Sequence, residues 1–148
     1  MKIQDEIKST FKNDYLKARI NLHFTHNYLN NQLIEVLKPF KISPTQFNVL
    51  RILRGQYPNT SSIGLIKERM IDKNSDISRV IDRMHAKKLV NRKECKQDRR
   101  QKDIVITQLG LDYLTEIDEL EKTLDQKIRH LSTEEIIQLN TLLDKIRS

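Results

Sequence analysis

Apolar residues recur at helical spacing from about Gln4 to Leu37, at Ile7, Phe11, Leu16, Ile20, Phe24, Leu33 and Leu37, with no glycine or proline to break them. The spacing predicts a long helix, interrupted near Asn13. Pro39 closes it, because proline lacks an amide donor and disfavours helical geometry in the residue before it. Ser43-Pro44-Thr45-Gln46 then offers an N-cap hydroxyl, proline at the first helical position and glutamine three residues beyond the cap. This capping box predicts a helix from Pro44 to about Arg54, with Phe47, Leu50 and Leu53 inward.

Gln56 to Ser61 reads as a turn-rich loop, followed by a short helix from about Ser62 to Met70 with Leu65, Ile66 and Met70 apolar. In the polar turn Asp72-Lys73-Asn74-Ser75, the asparagine or the serine can cap the next helix. That helix, roughly Asp76 to Lys87, buries Ile77, Val80, Ile81 and Met84 and turns Ser78, Arg79, Asp82 and Arg83 elsewhere. Two short helices joined by a tight turn, the second basic on its outer face, make a helix-turn-helix. The period then changes: Leu89-Val90 and Ile104 to Thr107 are β-rich runs flanking a charged segment, which predicts a hairpin with a basic tip, or wing.

Beyond Gly110 a second long helix is expected to about His130, striped by Leu114, Ile117, Leu120, Leu124, Ile128 and Leu131. Ser132-Thr133-Glu134-Glu135 is another capping box, opening a last helix striped by Ile136, Leu139, Leu143 and Ile146. The predicted fold is therefore mostly α: a winged helix-turn-helix domain (41–110) with a two-stranded wing, flanked by an N-terminal helix (1–40) and C-terminal helices (111–148). Stripes on the outer helices would leave apolar patches in a monomer, and a two-fold homodimer buries them.

Charge sharpens this picture. Between Arg79 and Lys102 stand ten Lys/Arg against three acids, an excess equal to the +7 formal charge of the whole chain. A local imbalance of this size marks the place where a polyanion is neutralised, and nucleic acid is the leading partner. The single cysteine, Cys95, permits no intrachain disulfide, the N-terminus holds no apolar leader and no uncharged run could cross a bilayer, so a cytoplasmic protein without a membrane partner is expected. No glycine-rich phosphate loop, nucleophile motif or metal-spaced His/Cys set is present, which argues against an enzyme and predicts no cofactor.

Over nearly the full chain these residues resemble the MarR family of bacterial transcription regulators. Ile42 to Leu50 is similar to the family's second helix, Ser75 to Met84 to its recognition helix, and Asp98 to Gly110 to its wing followed by the "LT..G" lead-in to the dimer helix. The resemblance implies a triangular winged helix-turn-helix dimer that binds pseudo-palindromic operators and is released by small phenolic ligands or by oxidation. Two positions depart from the family pattern. Ile71 replaces a glycine in the helix-turn-helix turn, so Asp72 or Asn74 must shape that turn, and Lys88 replaces the glycine after the recognition helix, where left-handed strain is expected.

The candidate DNA contacts are Asn74, Ser75, Asp76, Ser78, Arg79 and Arg83, at the start and along one side of a helix suited to a major groove. The alternative is a solvated, capped helix face. Asp76 can accept from cytosine or orient a neighbouring arginine. By resemblance, one of Arg99 and Arg100 enters a minor groove while another arginine pairs with Asp98, and Lys96 and Lys102, with Lys87, Arg92 and Lys93, neutralise phosphates. Phe24, Tyr28 and Phe47 are candidates to line a pocket for a small aromatic effector, although core packing explains them equally well. His23 and His26 read as surface residues rather than as metal ligands, and Cys95, between Lys93 and Lys96, as a plain strand cysteine rather than a reactive thiolate. The resulting expectation is a sequence-specific DNA-binding transcription regulator, a repressor released by a small-molecule effector. The alternative is a winged-helix adaptor that binds protein or RNA.

Overall fold

A computed structural model describes residues 2–94 and 102–148. A one-turn helix α1 (Ile3–Glu6) precedes the long α2 (Asp14–Leu37). The interruption predicted near Asn13 is the N-cap of α2, where the Asn13 side chain accepts from the Leu16 amide at 2.9 Å. Pro39 lies in a 3₁₀ turn, Lys38–Phe40, that closes the helix. Next, α3 (Pro44–Gln56) opens with the complete capping box: the Gln46 amide donates to Ser43 Oγ at 3.1 Å, and the Ser43 amide donates to Gln46 Oε1 at 3.2 Å. Two orphan amides are thereby satisfied and the helix start is fixed.

The remaining elements are β1 (Ser61–Ser62), α4 (Ile63–Arg69), α5 (Ile77–Ala86), β2 (Val90–Glu94), β3 (Lys102–Ile106), α6 (Gln108–Asp125) and α7 (Thr133–Arg147). Strands β2 and β3 are the two strands expected for the wing, and β1 joins them as a third in the antiparallel order β1-β3-β2. Ser61 pairs with Ile104 and Ser62 with Asp103. This third strand is bought with backbone hydrogen bonds alone, since two serines carry neither apolar alternation nor β-branched bulk. The same Ser62 then caps α4, accepting from the Leu65 amide at 3.1 Å.

The C-terminal boundaries also differ from expectation. Gly110 lies inside α6, whose cap is Thr107, the hydroxyl accepting from the Gly110 amide at 3.2 Å. The helix stops at Asp125 rather than near His130, because the following amides bond three residues back, Lys127 to Leu124 and Ile128 to Asp125, tightening the chain into turns. The Ser132/Glu135 capping box then starts α7 as expected.

A single apolar cluster joins Leu37 of α2, Phe47, Leu50 and Leu53 of α3, Ile66 of α4, Ile77, Ile81 and Met84 of α5, Val90, Ile104 and Ile106 of the sheet, and Leu114 and Ile117 of α6. Helix α3 is its hub, packing against α2, α4, α5, α6 and β3. By contrast, no residue of α7 is buried, and α2 buries only Leu37.

Candidate nucleic-acid interface

Asp72 builds the turn between α4 and α5. Its carboxylate accepts from the Asn74 amide at 2.9 Å and from the Ser75 hydroxyl at 3.1 Å, so the turn closes without any left-handed residue. Asn48, from the middle of α3, accepts from the Ile71 amide at 2.9 Å and pins the turn to the hub helix. The cap of α5 is Asp76 rather than Asn74 or Ser75: its carboxylate accepts from the Arg79 amide at 3.3 Å and lies 3.3 Å from Arg79 Nε. Of the two roles open to Asp76, the structure shows the one that orients a neighbouring arginine.

With Ile77, Ile81 and Met84 buried, the opposite side of α5 carries Ser78, Arg79 and Arg83 into solvent, next to the exposed Asn74 and Asp76, while Ser75 is half-buried. The helix ends in a Schellman motif, Leu89 amide to Met84 carbonyl at 3.0 Å and Lys88 amide to His85 carbonyl at 2.9 Å, with Met84 and Leu89 both buried. Lys88 takes the left-handed conformation expected of it, with φ of 60°. Its carbonyl accepts from the Thr107 hydroxyl at 2.7 Å, so the residue that caps α6 also anchors the end of α5.

Strands β2 and β3 run beside this helix, from Val90 paired with Ile106 out to Glu94 paired with Lys102. Lys96, Arg99, Arg100 and Cys95 lie outside the described residues, as does the side chain of Lys102. Two basic residues assigned to phosphates from the sequence are engaged within the protein. Arg92 forms an ion pair with Asp82 of α5, and Lys87 donates to the Lys41 carbonyl and lies 3.5 Å from Gln46 Oε1. Neither link has a local sequence signal, since each joins separate elements.

Behind the interface, Arg54 of α3 donates to both carboxylate oxygens of Asp118 on α6, at 2.6 and 3.1 Å, and Arg51 lies 3.6 Å from Glu121. Burial pushes the Glu121 carboxyl above its ordinary range, while Arg51 pulls it back and Asp118 and Asp125 add to the rise. The three residues proposed for a ligand pocket lie in different settings. Phe47 is buried in the core with Arg51 over its ring at 5.6 Å, whereas Phe24 and Tyr28 are exposed on α2. An open depression of about 340 Å³ instead lies between α1 and the start of α2, lined by Gln4, Ser9, Thr10, Phe11, Asn13, Asp14 and Lys17. Among the described residues no group of three His, Cys, Asp or Glu side chains is arranged to hold a metal, and no helix is long and apolar enough to cross a membrane.

A polar, basic helix presented by a tight turn, with a sheet wing at its side, defines a winged helix-turn-helix protein. Residues 42–102 match the model of the MarR family. The fold is similar to that of a MarR transcription factor from Planctomyces limnophilus, at 27% identity over 91% of this chain and 98% of that one, with a TM-score of 0.70. It is also similar to a mutant MarR from E. coli complexed with operator DNA, at 24% identity over 93% and 99% of the two chains and a TM-score of 0.80. The 2,4-dichlorophenol-bound form of the organohalide-sensing transcriptional regulator RdhR matches over 93% of this chain and 81% of that one, at 18% identity and a TM-score of 0.82. Residues 42–102 are thus similar to the MarR domain, and the fold as a whole is that of MarR transcription factors.

Proposed function

We propose that this DNA-binding transcription regulator is a cytoplasmic repressor that works as a homodimer on a pseudo-palindromic operator in double-stranded DNA and is released by a small aromatic effector. One observation carries the reading: Ser78, Arg79 and Arg83 are exposed together on the outward side of α5, next to the exposed Asn74 of the preceding turn, with strand β2 beside the helix. A helix in that setting reads base edges in the major groove while flanking lysines and arginines meet phosphates. In this reading the base-edge and phosphate set is Asn74, Ser75, Asp76, Ser78, Arg79 and Arg83, with Lys96, Arg99, Arg100 and Lys102 supplied by the wing.

Homodimerisation is supported by the faces left open. Leu22, Phe24, Tyr28, Leu29 and Ile34 on α2, and Ile137, Leu139, Leu142 and Ile146 on α7, are large apolar side chains in solvent. Two copies related by a two-fold axis cover them and place two α5 helices on one face of the duplex, about one helical turn, or roughly 34 Å, apart. Effector release is supported by the dichlorophenol complex of the organohalide-sensing regulator, a small phenol held on this fold, and by Phe24 and Tyr28, four residues apart on the open side of α2. The test is selection of duplexes from a random pool by the full-length protein, followed by anisotropy titration at several salt concentrations. A palindromic consensus and a steep fall of affinity with salt are expected; equal binding of all duplexes, or preference for RNA, would overturn the reading.

A further inference from the structure

Among the described residues, three links tie the recognition helix to the wing. At the root, the Leu89 amide donates to the Met84 carbonyl. Beside it, His85 Nδ1 lies 3.0 Å from the Val90 carbonyl, and because a carbonyl only accepts, that nitrogen carries the proton. The third link is the ion pair of Asp82 with Arg92. Alternation along β2 places Arg92 on the same face as the buried Val90, toward α5, and points Asn91 and Lys93 away. Arg92 lies two residues, or about 7 Å, farther along the strand than Val90. It is the outermost of these links to the recognition helix and ties β2 to that helix at the level where β1 pairs with the other edge of the wing, Ser61 with Ile104.

Asp82 is otherwise hard to account for. A carboxylate on the outer side of a helix that meets phosphates is repulsive, and surface pairs as exposed as this one, with the Asp82 side chain 63% accessible, add little to stability. We propose that Asp82, through Arg92, is a positioning residue that holds the wing at the angle from which its basic tip and the recognition helix engage one duplex together. The inference rests on the reading that this chain binds duplex DNA. It also removes Arg92 from the phosphate-neutralising set, since its charge is spent on Asp82.

The two accounts of Asp82 predict opposite signs. If it were only a solvated negative charge, Asp82→Asn would make the face more positive and tighten binding to every duplex, with a steeper salt dependence. As a positioning residue, its loss weakens binding to the duplex enriched by the wild type by about tenfold, leaves random duplex bound at least as tightly, and erases any preference for A·T-rich over G·C-rich flanks. Full-length wild type, Asp82→Asn and the charge exchange Asp82→Arg/Arg92→Asp are compared by anisotropy at fixed salt, with thermal melting to establish that all three are folded. Recovery of affinity and flank preference in the exchange variant supports the proposal. Asp82→Asn binding all duplexes as tightly as the wild type or tighter, or an exchange variant no better than Asp82→Asn, overturns it. A wild type that enriches no duplex defeats the DNA-binding reading itself, an outcome visible before any variant is made.

Discussion

Gly110 is packed directly against the backbone of Leu89: a Cβ built on it would fall 2.7 Å from the Leu89 carbonyl oxygen and 2.7 Å from Cγ1 of Ile106. Leu89 closes the recognition helix, Ile106 ends the wing, and Gly110 stands in the first turn of α6. The absence of one methyl group therefore lets three elements meet. Thr107 reinforces the junction, its hydroxyl bonding the Lys88 carbonyl and capping α6.

Gly110→Ala is expected to destabilise the fold by about 1 to 3 kcal/mol, the usual range for overpacking, because a backbone carbonyl cannot swing aside as a side chain can. Chemical denaturation of the two proteins checks this. An unchanged midpoint would mean that α6 shifts freely against the recognition helix.

Leu142 is 51% exposed on α7, a helix with no buried residue. In an isolated chain Leu142→Glu would cost almost nothing; in a homodimer it places a charge in an apolar interface. Sedimentation at micromolar concentration is expected to give twice the chain mass for the wild type and a shift toward the single chain mass for the variant. A wild-type monomer would refute the dimer.

Arg79 projects from the outer side of α5, oriented by Asp76. Arg79→Ala is expected to lower the advantage of the preferred duplex over random DNA by about 1 to 3 kcal/mol, whereas Lys96→Ala should weaken all duplexes equally and reduce the salt slope by about one. Competition titrations read both effects. If Arg79→Ala keeps the full sequence preference, Arg79 does not read bases.

Glu121 offers a pH test of the junction between α3 and α6. Its carboxyl is raised chiefly by burial, so the folded state holds that proton more tightly than the unfolded chain does. The resulting stabilisation is complete below the unfolded pKa and is lost as pH rises through the raised folded value. Glu121→Gln should therefore flatten the stability profile just above pH 4.5, and leave the protein no less stable at neutral pH despite the loss of the Arg51 contact. Urea unfolding across that range distinguishes this from a stabilising Arg51–Glu121 pair, for which the variant would be weaker at neutral pH.

Much of the candidate interface was legible before the structure because its determinants are local. The apolar positions Ile77, Ile81 and Met84 orient α5, so Ser78, Arg79 and Arg83 had to face outward. Left-handed strain at Lys88 is implied by the resemblance rather than by a local pattern, and φ of 60° is what the residue adopts. The charge excess between Arg79 and Lys102 located the surface, but count alone could not tell which cations are free. Arg92 and Lys87 looked like phosphate partners until the packing of β2 on α5, and of α5 on the start of α3, supplied Asp82 and the Lys41 carbonyl. Phe47, which the sequence marks both as an inward residue of α3 and as a candidate pocket wall, lies in the core beside helices α2, α4, α5 and α6 that pack on α3.

The division follows the range of the forces. Helix periods and the Ser43/Gln46 and Ser132/Glu135 caps depend on residues three or four apart, so the sequence by itself determined the order of the elements, where most of the helices start and the outer side of α5. The strand status of Ser61 and Ser62 depends on Ile104 and Asp103, the anchoring of Ile71 on Asn48 lies 23 residues upstream, and the need for glycine at position 110 comes from a carbonyl on another element. Those were decided only by the tertiary structure, because a backbone hydrogen bond or a steric limit between distant segments leaves no pattern in the residues beside it.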